Sequence, residues 1–489
     1  MSVTEKIVHG VKVTFVSRAV NMTANGLLIY LLSSVLLDPN GYGLLFLTIS
    51  IIGVVQLFGD LGLAGSAARY IAEFKESDPS QVPHVLSIAL RYRLLLITGT
   101  VLAVVLTRDI VVTVLDEPGL ELLLLAGAGL LAFRSLLTFS SLTFQGFNAL
   151  KLSAVINIVN NLGRLALVVG FVTLGWGVVG ALLGYVVGAA VAAVLGLGLL
   201  YVRYYRSYNI ADAPEPGLRR RILEYSIPLT VSRSAGAISA QIDIILIGFF
   251  MNPVAVGFYT LGKQISEFVL APAQSIGFAI SPTFGEDKAN SKLDRAARLY
   301  ESTVQYVLLL YVPMTIGVFA TAEPMILLVF GQEYAGAVPV IQVLSLFILV
   351  QSLTLVTTDV LDFLGRARMR AIAKGVSAVA NLGLNILLIP VYGVVGAAVA
   401  TVVTYSVYTM ANLYIVHSEL DLRVAYLGGV AIRTTAISSV MGLSVMMLAP
   451  HIAGIVSLAS VILLGAAIWA ILATASGLFD PKETFALLT

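Results

Sequence analysis

Apolar runs of about 20 residues, each long enough for a helix to cross a hydrocarbon core of about 30 Å, recur along the whole of this chain. They begin near Val11, Tyr42, Val85, Leu120, Leu152 and Trp176, then near Ile222, Val256, Leu299, Tyr334, Met369 and Val391, with two more near Tyr426 and Gly454. A backbone in hydrocarbon must satisfy its own polar groups, so runs of this length fold as helices. The expectation is an all-α polytopic membrane protein with about fourteen transmembrane helices. Composition agrees, since 58% of the 489 residues are hydrophobic and 11% charged, against about 25% charged in a soluble domain. Cysteine is absent, which removes disulfides, thiol catalysis and Cys-ligated metals. The opening MSVTEKIVHG leads into a span without a small-residue cleavage site, so the first helix is expected to remain in the mature protein.

Two stretches echo one another. Val-Ser-Arg at Val16 to Arg18 is in register with Val-Ser-Arg at Val231 to Arg233, and Asp38-Pro39 stands opposite Asn252-Pro253. Gly177-Val178-Val179-Gly180-Ala181 likewise matches Gly393-Val394-Val395-Gly396-Ala397, and Asn161-Leu162-Gly163 matches Asn381-Leu382-Gly383 with a gap of a few residues. The halves each hold an even number of spans and therefore enter the membrane in the same direction, as a parallel repeat. The organisation read from this is an N-terminal lobe over 1–202 (helices 1 to 6), a polar linker over 203–221, a C-terminal lobe over 222–418 (helices 7 to 12) and two additional helices over 419–489. Glycine and alanine within the spans, as in GAGLLA and GVVGAAVA, read as close helix packing. Pro228, Pro272, Pro313 and Pro339 fall within spans of the second half, whose helices are expected to be the more kinked.

Lys and Arg are sorted by side. Lys6, Lys75, Lys151, Arg203, Arg219 to Arg221, Arg295, Arg366 and Arg423 occupy one set of loops, and Arg108 alone sits in a loop of the other set, among Asp109, Asp116, Glu117 and Glu121. The positive-inside rule places both termini in the cytoplasm. Positive charge sorted in this way is not a nucleic-acid patch, and no nucleic-acid partner is expected.

Charges inside spans cost about 2.5 kcal/mol or more at the helix centre. Arg91, Arg93, Lys374 and Arg433 lie near span ends, where snorkelling to the interface accounts for them. Lys263 and Glu267 share a helix face and neutralise each other, and Asp60 is expected to cap or pair locally. Arg18, Arg134, Arg164 and Arg233 lie deeper. Such side chains face a bundle interior or a wet cavity, where guanidinium forks suit a phosphate or carboxylate, the competing explanation being structural pairing with buried acids. Asp243 sits mid-span with no basic residue one turn away. His9, His84, His417 and His451 are scattered, and neither HExxH nor a P-loop is present. No catalytic residues are assigned and an enzyme is not expected.

The segments GYGLLFLTISIIGVVQLFGDLGLAGSAARYIAEF from Gly41 to Phe74, NPVAVGFYTLGKQI from Asn252 to Ile265 and NLGLNILLIPVYGVVGAAVAT from Asn381 to Thr401 resemble the polysaccharide-transporter and oligosaccharide-flippase (Wzx-like) branch of the multidrug/oligosaccharidyl-lipid/polysaccharide exporter superfamily. The resemblance implies two six-helix lobes that move the head of a polyprenyl-linked oligosaccharide, on an undecaprenyl or dolichyl carrier, across the plasma membrane of a prokaryote by alternating access. Arg18, Arg134, Arg164 and Arg233 would then bind the anionic head group, and the partners are the lipid-linked oligosaccharide, membrane lipids and glycan-assembly proteins. No cofactor is implied beyond a coupling ion. That ion, Na⁺ or H⁺, would be held by Asp243, Asn381, Asn385, Thr401 and the backbone carbonyl of Ala397, a set similar to the sodium site of the lipid II flippases, with Asn385 standing where an acid can occur. Asp243 paired with an arginine and the amides bonding neighbouring helices is an equal alternative. A multidrug exporter of the same superfamily is the rival function, disfavoured by two additional spans and the arginines. A membrane glycosyltransferase or polymerase would need a large loop or acidic cluster, and neither is visible.

Overall fold

A computed structural model describes residues 20–274, 284 and 293–478, the side chains at 229, 231–235 and 237 excepted. The described residues are predominantly helical, with no strand among them. The chain divides into two compact units, Met1–Gly257 and Phe258–Thr489. Nine stretches among the described residues are long and apolar enough to cross a membrane. Two of these, Leu150–Ser207 and Ala367–Leu420, are each a pair of helices joined at a sharp turn. The protein is a multi-pass membrane protein.

The first unit contains α1 (Val20–Leu36), α2 (Pro39–Asp60), α3 (Leu63–Ser77), α4 (Val82–Leu115), α5 (Leu120–Gly146), α6 (Leu150–Phe171), α7 (Gly177–Arg203) and α8 (Leu218–Phe250). It also takes in the first turn of α9 (Pro253–Val269). A buried cluster that includes Ile71, Val85, Ala89, Phe144, Ile156 and Ile222 joins α3 to α8.

Two of the echoes noticed in the sequence have a physical cause in the structure, while the Val-Ser-Arg echo at Val16 to Arg18 lies outside the described residues. Asp38 accepts a hydrogen bond from the Gly41 amide at 2.9 Å, and Asn252 accepts one from the Ala255 amide at 2.9 Å. In both, Pro39 or Pro253 takes the first helical position, where a missing N–H costs nothing. Both motifs are N-caps. Gly177 (φ 52°, ψ −137°) and Gly393 (φ 59°, ψ −143°) adopt nearly the same backbone conformation, open to glycine and strained for other residues. That conformation reverses the chain. Three residues on, a Cβ at Gly180 would lie 3.1 Å from the Phe171 carbonyl, and one at Gly396 would lie 2.4 Å from the Leu388 carbonyl. The echoed GVVGA is thus a tight turn between two antiparallel helices, made once in each unit.

Glycines then set how closely α6 and α7 approach. A Cβ at Gly184 would lie 2.6 Å from the Val168 nitrogen, and one at Gly188 would lie 3.0 Å from the Arg164 Cα. The packing role expected of the small residues holds here. Close approach at Gly188 fixes the base of the Arg164 side chain. At the start of α9, a Cβ on Gly43 would meet the Pro253 carbonyl oxygen at 1.7 Å, and one on Gly257 the Pro39 carbonyl oxygen at 2.5 Å. The two capping turns therefore cross backbone against backbone, each on the other's glycine.

Residues 203–221 are held along the end of the first unit. The Ala211 amide donates to the Ser80 carbonyl at 3.3 Å, the Gln81 side chain donates to the Ala213 carbonyl at 3.3 Å, and Gln81 accepts from the Glu215 amide at 2.8 Å. Arg221 bridges Glu215 at 2.9 Å and Glu73 at 2.8 Å. Phe147 stacks on Tyr204, with ring centroids 4.0 Å apart.

The second unit continues α9 and adds α10 (Leu293–Val329), α11 (Val338–Phe363), α12 (Ala367–Leu420), α13 (Val424–Leu448) and α14 (Ile455–Ala475). α12 is the hairpin with its turn at Gly393. Arg423 closes the junction of α12 and α13 on the buried Glu301 of α10, through its amide at 2.7 Å and its guanidinium at 2.5 and 2.8 Å. Arg366 binds Glu419 at 2.6 Å and so joins the two ends of the hairpin.

Four expectations from the sequence are corrected. Arg93 does not snorkel: it is fully buried in an ion pair with Asp60. Asp60 accordingly finds its principal partner on another helix, its local bond to Gln56 being longer at 3.3 Å. Arg108 lies inside α4, near its end, and pairs with Asp109 at 3.1 Å and Glu121 at 3.7 Å. Pro339 falls in the first turn of α11, where it disturbs no helical hydrogen bond.

Candidate functional site: a basic and amide-lined face in the first unit

The first unit builds its charged centre in two layers. In the buried layer, Arg93 of α4 donates from Nη2 to Asp60 Oδ1 at 2.6 Å, and from Nε and Nη2 to the Ser135 carbonyl at 3.1 and 2.6 Å. Ser135 Oγ donates to the same Asp60 oxygen at 2.5 Å. Three helices are thereby pinned at one level, α2 through Asp60, α4 through Arg93 and α5 through Ser135. The residue beside Ser135 is Arg134.

Arg134 forms the accessible layer. Its guanidinium lies within electrostatic reach of Arg164 on α6, Asp60 on α2 and Tyr185 on α7. Arg164 lies over the Tyr185 ring, 4.9 Å from its centroid, and donates from Nη2 to Asn25 of α1. One helical turn earlier on α6, Asn161 donates to Asn21 of α1 at 2.7 Å. Two like charges held together within a membrane-spanning bundle repel one another, and among the described residues the acid that acts on Arg134, Asp60, is already bonded to Arg93. The arrangement is one that an anion would complete.

The structure therefore brings together two of the four arginines singled out in the sequence, Arg134 and Arg164. Arg18 lies outside the described residues. Arg233 continues α8, but its side chain also lies outside the described residues. Of the in-span cations assigned to snorkelling, Lys374 sits over the Tyr405 and Tyr408 rings at 4.0 and 5.0 Å, whereas Arg91 and Arg433 are exposed. Sequence reasoning missed Tyr185, Asn21 and Asn25. Their signal was a polar atom inside a span, Tyr185 in a run of glycine and alanine and the two asparagines one helical turn apart.

The second unit gathers most of the oxygen-bearing set expected to hold a cation. Asn385 donates to Asn381 Oδ1 at 3.1 Å, Asn381 donates to Thr404 Oγ1 at 3.3 Å, and Thr401 shares a 3.1 Å hydrogen bond with Tyr259. Asn381, Asn385, Ala397 and Thr401 are all buried. Asp243 is also buried, on α8 in the first unit. Amide, hydroxyl and carbonyl oxygens are the ligands that hard cations take. Tyr259 and Thr404 complete the cluster and were not anticipated.

A family model described as polysaccharide biosynthesis protein matches residues 7–287. The chain belongs to the polysaccharide biosynthesis protein family. A second model, MatE, matches residues 228–387. Among curated relatives, the probable low-salt glycan biosynthesis flippase Agl15 of Haloferax volcanii is 24% identical over 392 residues, covering 80% of this chain and 79% of its own length. Among solved structures, the lipid II flippase MurJ in an inward closed conformation matches with a TM-score of 0.76 at 14% identity, over 96% of this chain and 98% of that one. An inward-facing MATE family multidrug resistance transporter matches with a TM-score of 0.68 at 16% identity, over 83% and 96%. The two structures establish the fold of this family member, a polytopic all-α membrane fold.

Proposed function

We propose that this polysaccharide biosynthesis protein is a flippase that moves the polar head of a polyprenyl-linked oligosaccharide from the cytoplasmic to the outer leaflet of the plasma membrane by alternating access. The observation that carries the reading is the juxtaposition of Arg134 and Arg164 among amides within a membrane-spanning bundle. Guanidinium groups match phosphate oxygens in charge and geometry, so the pair takes the phosphate or pyrophosphate while the sugars stay hydrated and the tail stays in lipid. Family membership and the relative named as a glycan biosynthesis flippase support the same reading. An exporter of organic cations would set its cargo against two guanidinium charges, which disfavours the multidrug function that the MatE match suggests. The protein acts as a transporter and not as an enzyme, with membrane lipids and glycan-assembly proteins as its further partners.

Transport is coupled, in this proposal, to a monovalent cation or a proton held by Asp243, Asn381, Asn385, Thr401 and the carbonyl of Ala397. Reconstitution of the chain in vesicles containing an undecaprenyl-pyrophosphate-linked oligosaccharide, with and without a sodium gradient, tests both statements. Glycan reaching the opposite leaflet faster under the gradient is the expected result. Absence of any flipping overturns the function, whereas sodium-independent flipping that survives Asp243→Asn removes the ion and its anionic ligand together.

Both termini, and the segment 203–221, are proposed to face the cytoplasm, because Arg203, Arg206, Arg219 and Arg220 are exposed there while Asp116 and Glu121 are exposed at the other end of the α4 and α5 spans. The absence of native cysteine makes the test direct. A cysteine at Ser207 should resist a membrane-impermeant thiol reagent in intact cells and one at Asp116 should react; labelling in the reverse pattern inverts the topology.

A further inference from the structure

The face that carries Arg164 extends along α6 as a line of hydrogen-bonding side chains. Ser153, Asn157, Asn160, Asn161 and Arg164 recur at helical spacing on α6, and Ser141 of α5 meets them. Ser141 and Ser153 share a 2.7 Å hydrogen bond, and Asn157 donates to Ser141 Oγ at 3.2 Å and to the Ser153 carbonyl at 2.8 Å. Asn160 donates to Asn161 Oδ1 over 3.4 Å. The asparagine bonds among these use side-chain amide N–H groups. They leave the amide oxygens of Asn157 and Asn160 uncommitted, on side chains that are partly exposed.

A strip of this kind is costly against hydrocarbon, where amides lack partners. From Ser153 to Arg164 it rises about 16 Å along the helix axis, the length of a short oligosaccharide, with the two guanidinium groups at one end only. An amide presents both a donor and an acceptor, as the hydroxyls of a sugar do, and neither group carries charge. We infer that Asn157, Asn160 and Ser141 form a glycan-binding subsite that extends from the phosphate-binding arginines and reads the hydroxyl groups of the first sugars of the lipid-linked oligosaccharide. This inference rests on the flippase reading above and assigns its two chemistries to the two ends of the strip.

The division of labour is measurable with the full-length chain in nanodiscs. The probes are undecaprenyl phosphate and dolichyl phosphate, each bare and each carrying a neutral hexose tetrasaccharide. The wild-type protein should prefer a glycosylated probe to its bare carrier by about tenfold or more, and Asn157→Leu, close to isosteric, should abolish most of that preference while leaving bare-carrier affinity within about twofold. Arg164→Ala should weaken both forms. Asn160→Ala provides a second variant, since its one long hydrogen bond contributes little to packing, and it should lower the same preference. Asparagine variants that keep the preference, or that weaken bare and glycosylated probes alike as interhelical bonding would, overturn the subsite. Wild-type protein that binds both forms equally overturns the subsite and leaves the flippase reading standing. Wild-type protein that binds neither overturns both.

Discussion

Asp60→Ala is expected to destabilise the protein by about 3 kcal/mol, the lower end of the range for removing one partner of a buried ion pair. Arg93 is fully buried and its Nη2 lies 2.6 Å from the Asp60 carboxylate. With the carboxylate gone, the guanidinium keeps the Ser135 carbonyl and an approach to the Phe139 ring at 5.9 Å, neither of which neutralises it. The Asp60 side chain is 27% exposed, so water relieves part of the penalty and holds the effect near the bottom of the range. The double replacement Asp60→Leu with Arg93→Met should regain most of the loss, because an apolar pair of similar volume commonly matches a buried ion pair. Thermal unfolding of the purified protein in detergent measures both variants against the wild type. A melting temperature unchanged in Asp60→Ala would show that Arg93 does not depend on its carboxylate.

This pair also marks where reading the sequence stopped short. Arg93 lay within reach of a span end by counting residues, and snorkelling was the sound inference for a long cation there. What kept it inside was Asp60, on a different helix, and helix-to-helix pairing leaves no trace in hydrophobic periodicity. The repeat, by contrast, was legible because its chemistry is local. Asp38-Pro39 and Asn252-Pro253 are caps that a short segment completes by itself, and GVVGA is a turn that two glycines permit. These two echoes, seen as letters, are backbone devices. Helix existence was equally readable, since a membrane permits few alternatives to a helix.

The candidate site was half legible for the same reason. That a deep arginine meets an interior or wet surface follows from cost alone, and it selected Arg134 and Arg164 one by one. That the two share an electrostatic neighbourhood with Tyr185, while Arg164 meets Asn25, depends on Gly184 and Gly188 drawing α7 against α6. In the second unit, the echo of Asn161 in Asn381 needed a gap. The spacing from Asn161 to Gly177 exceeds that from Asn381 to Gly393 by one helical turn, which keeps both asparagines on the corresponding helix face. A gap of that size shifts depth and preserves direction.

Replacing Arg134 or Arg164 by Ala is expected to reduce flipping of a lipid-linked oligosaccharide by about 10- to 100-fold, as hydrogen bonds to a charged group are worth about 1.5–3 kcal/mol and each 1.4 kcal/mol is about tenfold. The two variants should separate in stability. Arg134→Ala removes one of two like charges within electrostatic reach of each other, so its melting temperature should hold or rise. Arg164→Ala also gives up Asn25 and the Tyr185 ring and should melt slightly lower. A residue that costs stability in the free protein and is needed for transport is the signature of a binding group, since an ion pair made for structure would show the opposite sign. Lysine at either position should restore part of the activity, supplying charge without the planar fork. The measurement is initial flipping rate per reconstituted protein, alongside thermal unfolding of the same preparations. Wild-type rates in both alanine variants would remove the arginines from the transport path, and a melting temperature that falls sharply in Arg134→Ala would make that residue structural.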